Sequence, residues 1–256
     1  ARFNYTDTQV LFRKSFDLSE SLTGDSEKSV QTVKQQSTIE FNKVIKINER
    51  SIGANFTPYI IAEAGMNHNG DLKLGKELID AALTTGCDAI KFQTFLPNSR
   101  VSSKVKSVDF VELADGVEET MYDMFSRLSM PFFEQKELFS YAKDRGIEIF
   151  STPFDFESVD FLESLGVDLY KIASMDLVNL PLIEYVAKTQ KPMILSTGMS
   201  NLGMIEDSLQ VIAKVGNPNV ALLHCNSTSP AAAGDMNVNA INTLRKCFNV
   251  PVGLSD

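Results

Sequence analysis

A parallel α/β sheet covered by helices is the fold class this sequence predicts, and three observations predict it. Seven short, nearly continuous apolar segments recur between residues 59 and 254. Amphipathic helical patterns lie between them, several closed by a glycine. Successive segments are mostly ~20 to 30 residues apart, the length of one strand-and-helix unit. Strands that are buried on both faces need apolar residues throughout rather than at alternate positions, and this is what the segments show. The same rhythm suits an open doubly wound sheet and a (β/α)8 barrel. No G-x-G-x-x-G follows the first segment, which counts against a dinucleotide-binding sheet.

The elements follow in order. Residues 1–40 are rich in Ser, Thr, Gln and mixed charge without a sustained period, and predict a peripheral or flexible extension. Residues 41–256 carry the fold. Residues 44–47 with Gly53 predict a small β-hairpin. Strands are expected at 59–62, 89–92, 148–150, 169–172, 193–195, 220–223 and 250–254. Helices are expected at 72–85, where Leu78, Ile79, Ala82 and Leu83 share a face after the capping Asp71, and at 133–145, 157–165, 180–189 and 203–215. Gly146, Gly166 and Gly216 close three of these. The stretch 95–131 breaks the rhythm and predicts a functional loop with a short helix at 118–128.

Composition removes several function classes. A net charge of -9 leaves no extended basic face for nucleic acid or an anionic membrane, so an anionic ligand must meet a local positive pocket. Cys87, Cys225 and Cys247 are odd in number and widely spaced, which fits reduced thiols in a cytoplasmic protein. No apolar run approaches the ~20 residues of a membrane span.

The sharpest signal is positional. Glu63, then Lys91 and Gln93, Thr152, Lys171, Ser174 and Asp176 fall at or just past strand ends. Ser196, His224 and Ser255 continue the series. In a parallel barrel these C-terminal ends converge on one mouth, where such folds place their chemistry. Lys91 and Lys171 interrupt apolar strands, and a buried ammonium needs an anionic partner. With Gln93 and the hydroxyls they make a cradle for a phosphorylated or carboxylated metabolite, and a salt bridge to Glu63 or Asp176 is the competing structural role. Glu63 is the candidate for proton handling. His224 reads as a hydrogen-bonded structural histidine. For His68, in the Asn67-His68-Asn69-Gly70 turn, scaffolding and a place at the mouth stand as equal alternatives.

The segment Ile60-Ile61-Ala62-Glu63-Ala64-Gly65-Met66-Asn67-His68-Asn69-Gly70 resembles the opening signature of the sialic acid synthase family. Lys91-Phe92-Gln93-Thr94, Phe150-Ser151-Thr152-Pro153-Phe154 and Tyr170-Lys171-Ile172-Ala173-Ser174 resemble later family blocks in the right order. So do Ile194-Leu195-Ser196-Thr197-Gly198-Met199, Leu223-His224-Cys225 and Gly253-Leu254-Ser255-Asp256. The resemblance implies a (β/α)8 TIM-type barrel of which this chain carries strands one to seven, lacking the eighth βα unit, with a small N-terminal hairpin. It implies condensation of phosphoenolpyruvate with an N-acylated hexosamine aldehyde, N-acetylmannosamine or a relative, giving a nonulosonic acid and phosphate. On that basis Glu63, Lys91 and Lys171 are catalytic. Lys91, Gln93, Thr152, Lys171, Ser174, Ser196 and Ser255 hold phosphoenolpyruvate, and Asp176, Ser227, Ser229 and His68 meet the sugar. Asp176 stands in place of the family's usual glutamate, and Ser227 and Ser229 stand where asparagine and tyrosine are common. The resemblance further implies a divalent metal, Mn or Mg, with ligands beyond Asp256, a cytoplasmic homodimer when full length, and an inactive segment when this stretch stands alone. The alternatives are a Schiff-base barrel aldolase using Lys171 and an inactive truncated relative.

Overall fold

The computed structural model describes residues 39–105, 120–228 and 231–255. Residues 1–38 of the extension expected over 1–40, residues 106–119 of the 95–131 loop, Ser229, Pro230 and Asp256 lie outside the described residues. Two strands, β1 (Val44–Ile47) and β2 (Arg50–Gly53), form an antiparallel hairpin. Seven more form one parallel sheet in sequential order: β3 (Ile61–Gly65), β4 (Ala89–Thr94), β5 (Glu148–Pro153), β6 (Tyr170–Ile172), β7 (Met193–Ser196), β8 (Val220–Cys225) and β9 (Val252–Ser255). Among the described residues, β3 and β9 each pair on one side only. The sheet curls, because residues from β3 through β9 line a single cavity.

The helices follow their strands as βα units require. They are α1 (Leu72–Thr84), the short α2 (Pro97–Arg100), α3 (Met121–Leu128), α4 (Phe132–Arg145), α5 (Phe156–Leu165), α6 (Leu180–Ala187), α7 (Leu202–Val215) and α8 (Ala240–Phe248). Local chemistry sets their ends. Asp71 Oδ1 accepts from the Lys73 amide at 2.7 Å, Asp155 Oδ1 from the Ser158 amide at 2.7 Å, and Thr120 and Asp123 form a capping box. Gly146, Gly166 and Gly216 take the left-handed conformation at the ends of α4, α5 and α7, as expected.

Alternation along each strand divides the interior into two layers. Outward residues such as Ile90, Phe92, Ile149, Ile172 and Leu195 pack under the helices in the main core. Inward residues near the strand starts, Ala89, Phe150, Leu169, Ile194 and Ala221, pack on Ile45 and Ile47 of the hairpin. The hairpin is therefore an apolar plug at the end where the strands begin. It is tied there by the Asn42 amide to Pro218 O at 2.9 Å and by Arg50 to Asp88 at 2.6 Å.

Two expectations need correction. The first sheet strand starts at Ile61 rather than Tyr59, so Glu63 sits mid-strand and not at its end. The chain also contains α2 and α8, which the strand count passes over. Ile241, Leu244 and Phe248 do carry a helical spacing that marks α8.

Candidate active site

The cavity enclosed by the curled sheet has a volume of about 920 Å3. The catalytic candidates Glu63, Lys91 and Lys171 all line it. So do Gln93, Thr152, Ser174, Ser196 and Ser255. The strand residues reach it for one reason, that alternate residues of a strand share a face: Lys91, Thr152, Lys171 and Ser196 follow Ala89, Phe150, Leu169 and Ile194 of the hairpin-side core by two positions, whereas Ser174 reaches it from the 3-10 turn after β6. Tools of the opposite face serve as scaffold. Thr94, Ser151 and Gln135 form a fully buried relay, with Thr94 Oγ1 donating to Gln135 Oε1 at 2.8 Å and Gln135 Nε2 donating to Met130 O at 2.7 Å. That relay fixes β4 and β5 against α4 without entering the cavity.

Glu63 and Lys91 form an ion pair across β3 and β4, at register-matched positions. A bulge follows directly, between Glu63 and Gly65. Gly65 has φ +52, and a Cβ there would lie 3.0 Å from Glu63 Oε1. Lys171 is differently placed. Its ammonium donates to Ser196 Oγ and, at 2.8 Å, to the Ile172 carbonyl. Burial, reinforced by the positive charge of Lys91, lowers its pKa to about 7. Lys91 thus has the carboxylate partner that the competing structural role anticipates, whereas Lys171 is held by neutral groups.

Around the strand ends, a turn after β7 gathers the hydroxyls. The Gly198 amide donates to Ser174 Oγ at 3.1 Å and to Cys225 Sγ at 3.0 Å. Met199, at φ +58, donates its amide to Ser227 Oγ at 3.2 Å. Ser227 therefore supports this turn and is not among the cavity-lining residues. His68 is also outside the cavity. It is buried against Phe92 on the helix side, and its Nδ1 accepts from the Gly70 amide at 3.0 Å, which is the scaffolding alternative; burial lowers its pKa. Asp176 sits in the turn that follows Ser174, off the cavity wall. Its Oδ2 is buried without a partner, and burial raises its pKa. His224 Nε2 lies 2.6 Å from Met236 O, a structural contact as expected.

Sequence reasoning passes over Arg100. Its guanidinium lies 3.8 Å from the Phe154 ring centroid, 4.2 Å from Phe125 and 4.6 Å from Phe95, and its Nη1 donates to Gln93 Oε1 at 3.0 Å. The recurrence of phenylalanine near the ends of β4 and β5 is the signal that could have exposed it. Among the described residues, no three of His, Cys, Asp and Glu come together to hold a metal ion.

Residues 78–256 match the model of the NeuB family. The chain belongs to the NeuB family. The matched stretch contains every cavity-lining candidate except Glu63. Named NeuB-like relatives agree with it. The chain is 43% identical over 199 residues to the N,N'-diacetyllegionaminic acid synthase of Campylobacter jejuni, covering 77% of this chain and 60% of that protein. It is 36% identical to the pseudaminic acid synthase of Helicobacter pylori, covering 78% of this chain and 58% of that protein. A crystal structure of N-acetylneuraminic acid synthetase from Leptospira borgpetersenii, in complex with citrate, superposes with a TM-score of 0.72 at 33% identity, covering 85% of this chain and 71% of that one. This NeuB chain spans about three-fifths of the length of the curated relatives it matches. Among its described residues no helix is long and apolar enough to cross a membrane.

Proposed function

We propose that the protein carrying this chain condenses phosphoenolpyruvate with an N-acylated hexosamine aldehyde to give a nonulosonic acid and inorganic phosphate. The observation that carries this reading is the convergence of Lys91 and Lys171, with Gln93 and the hydroxyls of Thr152, Ser174, Ser196 and Ser255, on one cavity of a NeuB-family chain. Phosphoenolpyruvate bears a phosphate and a carboxylate, and two ammonium groups beside neutral donors are a matching set.

On this reading C3 of phosphoenolpyruvate forms a bond to the aldehyde carbon, whose oxygen gains a proton. Water adds at C2, and the C2–O bond to phosphorus breaks, leaving the ketone and releasing phosphate. Of the two protons water loses, the first balances the one gained at the aldehyde oxygen and the second, from the C2 hydroxyl, leaves with the phosphate. Glu63 is the group that relays the first, because its carboxylate faces the cavity and stays anchored by Lys91. Lys171 serves as an anion anchor. A bound dianion restores its charge, so the neutral amine that its lowered pKa provides exists only in the empty site. The names of the relatives do not favour Schiff-base aldolase chemistry at Lys171. The same reading extends to a cytoplasmic homodimer for the full-length protein.

The test is phosphate release by the full-length protein with phosphoenolpyruvate, manganese or magnesium, and a panel of N-acylated hexosamines. Release that depends on one sugar supports the reading and names the substrate. A borohydride-trapped adduct with pyruvate, without phosphate release, would replace it with the aldolase.

A further inference from the structure

We propose that Arg100 is a positioning residue for this reaction: it holds the Gln93 side-chain amide with the oxygen turned away from the cavity and the NH2 group presented inward as a donor. The argument uses donor and acceptor chemistry. A guanidinium carries only donors, so the Gln93 atom 3.0 Å from Arg100 Nη1 must be the carbonyl oxygen. The NH2 group then points the other way. Its position is marked by Gly65, where an added Cβ would lie 3.5 Å from Gln93 Nε2 and 3.0 Å from Glu63 Oε1, both atoms of cavity-lining residues. A flipped amide would set its NH2 group against the guanidinium, donor against donor, with no hydrogen bond left between them.

Arg100 can impose this choice because aromatic rings enclose its guanidinium. Three aromatic faces, Phe95, Phe125 and Phe154, lie within 4.6 Å of its guanidinium carbon, and α2 begins at Pro97, which fixes the entry of the chain. Burial lowers its pKa to about 10, partly opposed by Asp176, so it remains a cation at neutral pH. The ligand atom that meets Gln93 is consequently an acceptor, an oxygen of phosphate, carboxylate, carbonyl or hydroxyl. The proposal rests on the synthase reading only for which substrate supplies that oxygen, and Gln93 is assigned there to phosphoenolpyruvate.

A double-mutant cycle in the full-length protein tests it, using Arg100→Met, which keeps an apolar stem among the three rings, Gln93→Ala and the pair. Arg100→Lys serves as the conservative variant, and thermal melting checks folding. Arg100→Met is expected to raise the KM for phosphoenolpyruvate about 10-fold with kcat changed less than about 3-fold. In the Gln93→Ala background the same change should shift KM less than about 2-fold, and Arg100→Lys should recover part of the loss. An effect of Arg100→Met that is as large without Gln93 as with it, or no effect at all, overturns the proposal. A coupled rise in the sugar KM instead upholds Arg100 and overturns the assignment of Gln93 to phosphoenolpyruvate. If the parent protein releases no phosphate with any sugar, the synthase reading fails, and the same cycle read by inorganic sulfate affinity decides the Arg100 proposal alone.

Discussion

Lys171 should make anion binding fall with pH across neutrality. Its amine is buried, its nearest partners are the Ser196 hydroxyl and the Ile172 carbonyl, and its pKa in the empty site is about 7. The other ionisable groups that act on it are Lys91, Cys225 and Glu63. An anion binds the protonated form. The protonated fraction is ~0.9 at pH 6 and ~0.1 at pH 8, so affinity should fall about 10-fold between them, or ~1.4 kcal/mol. Sulfate is the appropriate probe, because its charge is constant over this range, whereas a phosphate ester gains charge near pH 6 and masks the effect. Calorimetric titration with sulfate at pH 6, 7 and 8 reads it directly, with Lys171→Met as the control that should bind weakly and without this pH dependence. Affinity that is flat or rising over the range, or a Lys171→Met protein with an unchanged profile, would refute the assignment of Lys171 as the titrating anchor.

Three further outcomes follow from the same geometry. Glu63→Gln should lower turnover by about 10²- to 10⁴-fold while tightening sulfate binding, since it removes a proton relay and a negative charge together; Glu63 is half exposed but the Lys91 ammonium it leaves behind is buried, so a stability loss of about 1 to 3 kcal/mol should accompany it in thermal melting. Gly198→Ala places a Cβ 2.9 Å from Ser174 Oγ and 3.1 Å from Cys225 Sγ, and should cost about 1 to 3 kcal/mol in urea denaturation as well as weakening sulfate binding. Glu148 accepts from Asn48 in the plugging hairpin, and burial followed by Asp168 raises its pKa to about 7. Its folded pKa exceeds its unfolded value, so its contribution to stability is lost as pH rises from about 4.5 to 7; Glu148→Gln should raise Tm by about 3 °C at pH 8 and not at pH 5.

The strands and the cradle were legible because both depend on one-dimensional pattern. Lys91 and Lys171 are conspicuous in apolar runs, and period two decides which strand neighbours share their face. What could not be read was the depth of each side chain beyond the strands. His68 and Ser227 lie close in sequence to cavity residues, yet one turns under Phe92 and the other supports the Met199 turn. Asp176 follows the cavity-lining Ser174 by two residues but is carried off the wall by the 3-10 turn between them. Arg100 was missed for the converse reason. Its role depends on three phenylalanines from different parts of the chain and on the acceptor end of Gln93, and neither has a sequence period.

The charge balance of the cavity explains why the two lysines are not equivalent. With a net charge of -9, the chain repels anions at long range, so attraction has to be local. Lys91 supplies the smaller share of it, because Glu63 balances part of its charge. Lys171 can, because only neutral oxygens hold it, and the energy of keeping an uncompensated ammonium in a buried site is recovered when an anion arrives. The instability of the empty site is then part of its selectivity. Replacing Lys171 by methionine should relieve that instability and abolish the attraction in the same step, whereas replacing Lys91 strands Glu63 and gains nothing on either count.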